Sequence, residues 1–172
     1  SFATRPTGGA VYLWSAYERG REWVFSAVIE GGRRGPVRQL SPGAGVYCQP
    51  RVAAVGDTTW AFWTRQQLGR WEVLGAIAQQ GEWGPVTVLS DPDEDSMLPA
   101  AGVFGASLVL AFEAHTRPQQ IRVRFGSGQA WKPPVAVSQR DVPSYRPAIG
   151  VTAGGEVWVL WDSYLQAERG YA

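Results

Sequence analysis

Glu113 and Asp162 are the first candidates for chemistry, because each follows an apolar segment directly and the two lie 49 residues apart. Paired carboxylic acids can act as a general acid and a general base. Ser15 and Thr64 hold the same position after two further apolar segments. The competing interpretation is that this position makes a hydrogen bond to a neighbouring structural unit.

His115 is the only histidine, so a metal site built from several histidines is excluded, and Ser-His-Asp chemistry would depend on this one residue. It shares its place in the pattern with three other polar or aromatic residues: Tyr17, Gln66 and Tyr164. We predict that these four contact a ligand from the tips of neighbouring loops. The alternative is that His115 is an ordinary residue on the rim of the fold.

The segment 91–95 reads Asp-Pro-Asp-Glu-Asp and is the densest run of charge in the chain. Carboxylate oxygens are the ligands that Ca²⁺ and Mg²⁺ prefer, so Asp91, Asp93 and Asp95 are candidate calcium ligands. Their spacing is not that of an EF-hand, and a solvated acidic loop is the competing interpretation. We predict no other cofactor. We expect this segment to share one face of the fold with His115 and Tyr164.

The composition is that of a globular protein, with 45% hydrophobic residues in 172. Sixteen basic residues face 15 acidic ones, a balance that gives no reason to expect nucleic acid or an anionic membrane as partner. Cys48 is the only cysteine and cannot form an internal disulfide. No apolar run approaches the length of a membrane span. Because the chain begins at Ser1 rather than Met, we expect a processed or excised piece.

A repeat of 49 residues organises the chain. Four apolar segments end in a bulky aromatic residue, and successive ends are 49 positions apart: Trp14, Trp63, Phe112 and Trp161. Pro36, Pro85 and Pro134 keep the same period, and a proline precedes each of the last three apolar segments: Pro50, Pro99 and Pro147. Agreement of several independent positions indicates a true structural repeat.

Within one period the pattern predicts four short strands and almost no helix. In the second unit these are 51–55, 59–63, 71–78 and 86–89, each rich in β-branched or aromatic residues and bounded by glycine, proline or aspartate. Aromatic residues that recur at the period are expected to fill the space between units. The tryptophans that change register are the candidates for exposure: Trp23, Trp71, Trp83 and Trp131.

We therefore predict an all-β fold, a β-propeller of four-stranded antiparallel blades. A β-sandwich is the rival, but a sandwich does not require a period held over four units. The expected units are a partial blade 1–41, full blades 45–90 and 95–138, and a partial blade 143–172, about three and a half blades in all. A ring of this kind would need a second copy or further sequence to close, since open sheet edges invite pairing.

The last unit carries a family likeness. It reads Tyr-Arg-Pro-Ala-Ile-Gly at 145–150 and Gly-Gly-Glu-Val-Trp-Val-Leu-Trp-Asp-Ser-Tyr at 154–164, while 81–86 reads Gly-Glu-Trp-Gly-Pro-Val. This resembles the bacterial extracytoplasmic propeller repeats of the sialidase-like and TolB-like groups. The resemblance implies the propeller fold and a secreted or periplasmic location. The Asp-box of sialidases, Ser-x-Asp-x-Gly-x-x-Trp, is absent, so the likeness concerns the fold alone.

Three functions remain open from the sequence. The main hypothesis is a binding or scaffold module that recognises a glycan or a peptide on its loop face, because no complete catalytic constellation is present. The second is a propeller fragment of an extracytoplasmic, glycosidase-like hydrolase. The third is a purely structural assembly module.

Overall fold

Alternation of apolar and polar residues makes strands of nearly the whole chain. A computed structural model describes residues 1–5, 8–43, 45–127, 129–165 and 170–171. These ranges contain no helix, and therefore no helix of the length and hydrophobicity that a membrane span requires. The strands are β1 (Phe2–Thr4), β2 (Ala10–Glu18), β3 (Arg21–Glu30), β4 (Arg33–Arg34), β5 (Arg38–Gln39), β6 (Val46–Val55), β7 (Thr58–Gln67), β8 (Arg70–Gln79), β9 (Glu82–Trp83), β10 (Thr87–Val88), β11 (Ser96–Phe104), β12 (Ser107–Ala114), β13 (Gln120–Ser127), β14 (Ala130–Trp131), β15 (Val135–Ala136), β16 (Ser144–Val151), β17 (Val157–Leu165) and β18 (Gly170–Tyr171).

The strands form four antiparallel sheets, one for each repeat, which we call blades one to four. Blade one holds β1–β5, blade two β6–β10, blade three β11–β15 and blade four β16–β18. In each of the first three blades the first strand pairs with the second and the second with the third. The inner strands β6, β11 and β16 contact one another from blade to blade. They therefore lie nearest to the axis about which the blades are arranged.

The outer edge of each blade differs from the predicted single fourth strand. In blade two, β8 pairs with the short strand β9 and, further along, with the short strand β10. Pro85 lies between them and has no backbone N–H to give to the ladder, so the chain leaves the sheet there and returns at Thr87. The prediction of one strand at 86–89 missed this division. The first three strands of blade two, β6, β7 and β8, are also longer than the predicted 51–55, 59–63 and 71–78.

The second strand of blade two supplies the core on both of its faces. Trp60 and Phe62 point toward blade three and pack with Leu108 and Leu110. Ala61 and Trp63 point the other way and pack with blade one. Because side chains of a strand alternate between faces, one apolar segment covers two neighbours. Full burial of a large apolar side chain stabilises the fold by about 1.5–3 kcal/mol.

A serine closes the third strand of each of the first three blades. Ser41, Ser90 and Ser138 accept hydrogen bonds from the backbone N–H groups of the third strand, at 3.0, 3.1 and 3.0 Å. The donors are Val24, Val73 and Ile121, which are fully buried. The sequence pairs Leu40-Ser41, Leu89-Ser90 and Val137-Ser138 place these serines. They recur because each serine satisfies a buried donor that would otherwise lack a partner.

Each end of the array leaves an apolar face uncovered. Trp158 and Leu160 of blade four are each 58% exposed, whereas Trp60 and Phe62, their equivalents in blade two, are 4% and 0% exposed. At the other end, Phe2 is 62% exposed. A neighbouring blade buries these positions inside the array. The described chain is thus a partial propeller, and the identity of what covers its end faces stays a prediction.

Candidate functional site

A β-bulge near the start of each inner strand turns one side chain out of the sheet. The register shifts before Arg51 in β6, before Ala100 in β11 and before Ala148 in β16. The residue before the proline is left-handed in all three, with φ of 57° at Gln49, 55° at Leu98 and 53° at Arg146. Bulges of this kind re-aim side chains and are common beside active sites. Non-glycine residues in this region carry backbone strain of about 1–3 kcal/mol.

The bulge releases a backbone N–H, and the preceding blade binds it. The N–H of Leu98 donates to Thr64 Oγ1 and to Gln49 Oε1, both at 3.2 Å. The N–H of Arg146 donates to Glu113 Oε2 at 3.1 Å. Thr64 and Glu113 occupy the same position of the repeat, which therefore joins one blade to the next.

Arg146 lies between two carboxylates. Its N–H binds Glu113, and its guanidinium Nε lies 2.6 Å from Asp162 Oδ2. The Glu113 side chain is only 6% exposed, whereas those of Asp162 and Arg146 are 42% and 65% exposed. A cavity of about 460 Å³ opens beside this group, lined by Leu98, Glu113, Tyr145 and Arg146. We call Glu113, Arg146 and Asp162 the Arg146 cluster.

His115 extends the cluster toward the acidic segment. Its Nε2 lies 3.3 Å from Glu113 Oε1, and its backbone N–H donates to the carbonyl of Asp95 at 2.7 Å. A second cavity, of about 610 Å³, is lined by His115, Arg70 and the loop from Asp93 to Asp95, among others. The structure thus brings His115, Glu113 and the acidic segment to one side of blade three.

Three of the four acidic side chains of segment 91–95 bind other groups of the protein. Asp91 Oδ1 accepts the N–H of Asp93 at 3.0 Å, and Asp95 Oδ1 accepts the N–H of Trp71 at 3.1 Å. Glu94 pairs with Arg122 at 2.6 Å. Within the part of the chain that the structure describes, no three His, Cys, Asp or Glu side chains converge on a point where a metal ion could bind. Calcium at Asp91, Asp93 and Asp95 has no geometric support there.

The remaining predicted site residues lie at the ends of second strands in other blades. Tyr17 is highly exposed in blade one, and Gln66 is half-buried in blade two. Tyr164 in blade four donates its backbone N–H to the carbonyl of Pro143. Neither Tyr17 nor Gln66 lines the two cavities beside the Arg146 cluster.

Arg146, Tyr145 and Leu98 were not predicted from the sequence as site residues. The signal was present in the prolines at 50, 99 and 147, since each follows a residue that the bulge turns outward. Because the residue before the proline is glutamine, leucine or arginine, the sequence did not show that the three share one structural position. Cys48 offers no alternative nucleophile, because burial, together with the charge of Glu22, raises the pKa of its thiol to about 11.

Comparison with known proteins identifies the fold. No protein-family model matches the sequence, and no curated protein is similar to it. The structure is similar to that of an α-L-arabinofuranosidase from Fusarium graminearum, with a TM-score of 0.70, 11% identity, and 99% of this chain matched to 58% of that one. It is also similar to a Penicillium chrysogenum α-L-arabinanase, with a TM-score of 0.63, 12% identity, and 91% of this chain matched to 56% of that one. A Mycobacterium tuberculosis puromycin-hydrolyzing peptidase matches over 99% of this chain and 30% of its own, with a TM-score of 0.56 and 14% identity.

These similarities confirm the all-β propeller fold. The chain spans a little over half the length of the two arabinose-acting proteins. The similar structures include glycoside hydrolases and a peptidase, so the narrower likeness to sialidase-like and TolB-like propellers finds no support among them. At such low identity, the shared fold does not by itself transfer an activity.

Proposed function

We propose that the chain is part of a carbohydrate-active β-propeller that hydrolyses a glycosidic bond at the Arg146 cluster. The observation that carries the proposal is the position of Arg146 between two carboxylates of neighbouring blades. Its N–H binds Glu113, with which it lines one cavity, and its guanidinium pairs with Asp162. The names of the similar structures, an arabinanase and an arabinofuranosidase, point to arabinose-containing glycosides as the first substrates to test.

The chemistry requires two carboxyl groups with different roles. One protonates the leaving oxygen, and the other activates water or attacks the sugar directly. Glu113 and Asp162 differ in environment, since the first is buried beside His115 and the second lies open to solvent beside a guanidinium. Different surroundings are the usual means by which a protein assigns different roles to two acids. Arg146 would then orient both groups and hydrogen-bond the hydroxyl groups of the sugar.

A glycan-binding module without turnover is the second candidate. Both oxygens of Glu113 already have partners, the Arg146 N–H and the His115 ring. Thr64, which has no acid–base chemistry at neutral pH, makes the same blade-to-blade contact one repeat earlier. This favours a structural role for Glu113 and leaves Arg146 and Tyr145 as sugar contacts.

The proposal includes a completed ring and an extracytoplasmic location. The exposed faces at Trp158 and Phe2 would be covered by further blades, from a second copy of the chain or from additional sequence. A propeller that acts on polymeric glycans would meet them outside the cell. This chain covers only 56–58% of the two arabinose-acting proteins that it matches, which supports the proposal that further blades complete the ring.

The test is hydrolysis and binding measured side by side with the full-length protein. The substrates are an aryl α-L-arabinofuranoside and linear arabino-oligosaccharides, and the variants are Glu113→Gln and Asp162→Asn. Loss of an acid or base lowers kcat by about 10²–10⁴-fold. Glu156→Gln, at an exposed turn between β16 and β17, is the matched control and should retain full activity.

Three outcomes separate the candidates. Hydrolysis that falls in both variants and not in the control supports a hydrolase. Binding without hydrolysis, weakened by Arg146→Leu, supports the binding module. If the folded protein neither binds nor cleaves any of these glycosides, the proposal is overturned.

A further inference from the structure

A cavity of about 310 Å³ lies between blades two and three, away from the Arg146 cluster. Its wall includes two tryptophans, two glutamines and the short strand β10, and the residues used below are Trp60, Gly75, Gln79, Thr87, Gln129 and Trp131. Pockets for small molecules begin at about this volume and combine aromatic walls with a few polar groups. We infer that this cavity, which we call the junction cavity, is a binding site for a neutral sugar ring.

The repeat allows a direct comparison with the junction between blades one and two. A cavity of about 580 Å³ lies there too, beside Val28, Pro36 and Gln80, but it does not reach the equivalent of Gly75, Thr87 and Trp131, where that junction is closed. There Arg38 of blade one forms two hydrogen bonds to Glu82 of blade two, at 2.6 and 2.7 Å. The indole N–H of Trp83 donates to Ser26 Oγ at 3.0 Å. Arg38 pairs with Ser26 across β3 and β5, so all four residues close one part of the first junction.

At the junction between blades two and three, smaller residues stand at the positions of Ser26, Arg38 and Glu82. The pair that corresponds to Ser26 and Arg38 is Gly75 and Thr87, which face each other across β8 and β10. Ala130 stands where Glu82 stands in the preceding blade, next to the tryptophan. Two side chains of an ion pair and one hydroxyl are thus replaced by a threonine, an alanine and a glycine. The space that they would fill is open.

Trp131 occupies the position of Trp83 but has no hydrogen bond like the one that Trp83 makes to Ser26. Trp131 corresponds to Trp83, since the two pair with Gly126 and Ala78 at the same position of their blades. No residue of the described ranges accepts a hydrogen bond from the Trp131 indole N–H, because the hydroxyl of Ser26 has no counterpart at Gly75. The junction cavity therefore has an aromatic wall with an unused donor.

The tryptophan is held as a rigid wall. A Cβ placed on Gly126 would lie 2.6 Å from the indole carbons, so the ring rests directly on the backbone of β13. Trp60 and Phe62 meet it at nearly right angles, with ring centroids 5.6 and 6.0 Å away. Edge-to-face contacts of this kind fix ring orientation.

The groups around the cavity select for a neutral ligand with polar and apolar parts. Gln79 and Gln129 supply amide donors and acceptors without charge. Glu82 also borders the cavity, but its carboxylate is paired with Arg38 of blade one. A sugar ring offers C–H groups for aromatic walls and hydroxyl groups for amides and for an indole N–H. This inference is independent of hydrolysis at the Arg146 cluster.

The test follows the tryptophan indole signals in ¹H–¹⁵N spectra of the full-length protein during titration with arabinobiose, xylobiose and cellobiose. Trp131→Phe identifies the Trp131 signal and removes the donor while keeping an aromatic wall. Thr87→Arg restores at an exposed position the side chain that Arg38 provides in the first junction, and so closes the cavity. Trp83→Phe is the matched control at the first junction, where the space next to the tryptophan is closed by Ser26, Arg38 and Glu82.

We expect the Trp131 signal to shift with a Kd in the millimolar range, about 4 kcal/mol of binding free energy. Thr87→Arg and Trp131→Phe should weaken binding at least about tenfold, whereas Trp83→Phe should not. A Trp131 signal that no sugar moves, or binding that Thr87→Arg leaves intact, overturns the inference. Loss of hydrolysis in the Glu113 and Asp162 variants with an unchanged Trp131 shift would show that the two sites are separate.

Discussion

Replacing Ser90 by alanine removes one of the three recurring serine hydroxyl groups. Ser90 Oγ accepts the N–H of Val73 at 3.1 Å, and both residues are buried. The substitution leaves a backbone donor without a partner in a place that water does not reach. A buried unsatisfied donor costs about 1–3 kcal/mol, and each kcal/mol lowers the Tm of a domain of this size by about 2–4 °C. We therefore expect the Tm of Ser90→Ala to fall by about 2–12 °C.

Thermal unfolding followed by circular dichroism measures this effect. Ser41→Ala and Ser138→Ala should show losses of similar size, since their hydroxyl groups make the same bond in blades one and three. Ser127→Ala is the matched control, because Ser127 is an exposed serine of β13 and should be neutral. Equal melting temperatures for Ser90→Ala and the control would refute the argument that these serines recur to satisfy buried donors.

Two further predictions concern the indole of Trp63 and the thiol of Cys48. The indole Nε1 of Trp63 is buried with no hydrogen-bond partner in the described structure, so Trp63→Phe should change the free energy of unfolding by less than about 1 kcal/mol, while Trp63→Ala should cost about 3–5 kcal/mol. A loss near that of alanine on replacement by phenylalanine, measured by urea unfolding, would contradict this. Because the pKa of Cys48 is raised to about 11, its thiol is protonated at neutral pH and should react slowly with Ellman's reagent at pH 8, faster as pH rises toward 11. A rate at pH 8 equal to that of the unfolded chain would show that the thiol is not protected.

The architecture was accessible from the sequence because it is periodic. Aromatic residues that recur every 49 positions predicted the blades, and Trp63 and Phe112 are fully buried between them, as expected. Trp14 is only half-buried, since it belongs to the outermost face of blade one. The outer edge was predicted less well, because a single strand at 86–89 and the pair β9 and β10 have similar apolar content. The outer edge is divided into β9 and β10 because Pro85, which lies between them, has no backbone N–H to donate to the sheet.

The site could be predicted only in part. Glu113, His115 and Asp162 stood out as chemical groups in a sequence that has few. Arg146 did not, because its importance depends on a left-handed bulge that neither leucine nor arginine favours at the equivalent positions. The junction cavity was also hidden, since it arises from what Gly75, Thr87 and Ala130 lack relative to the preceding repeat. Such differences become visible only when the registers of the strands are known.

A crystal structure of the full-length Glu113→Gln protein with an arabino-oligosaccharide would test the central proposal most directly. We expect sugar density in the cavity beside Leu98 and Tyr145, with hydroxyl groups in contact with Arg146 and a glycosidic oxygen near position 113 or Asp162. Sugar bound only elsewhere on the protein, with the Arg146 cavity empty, would contradict it.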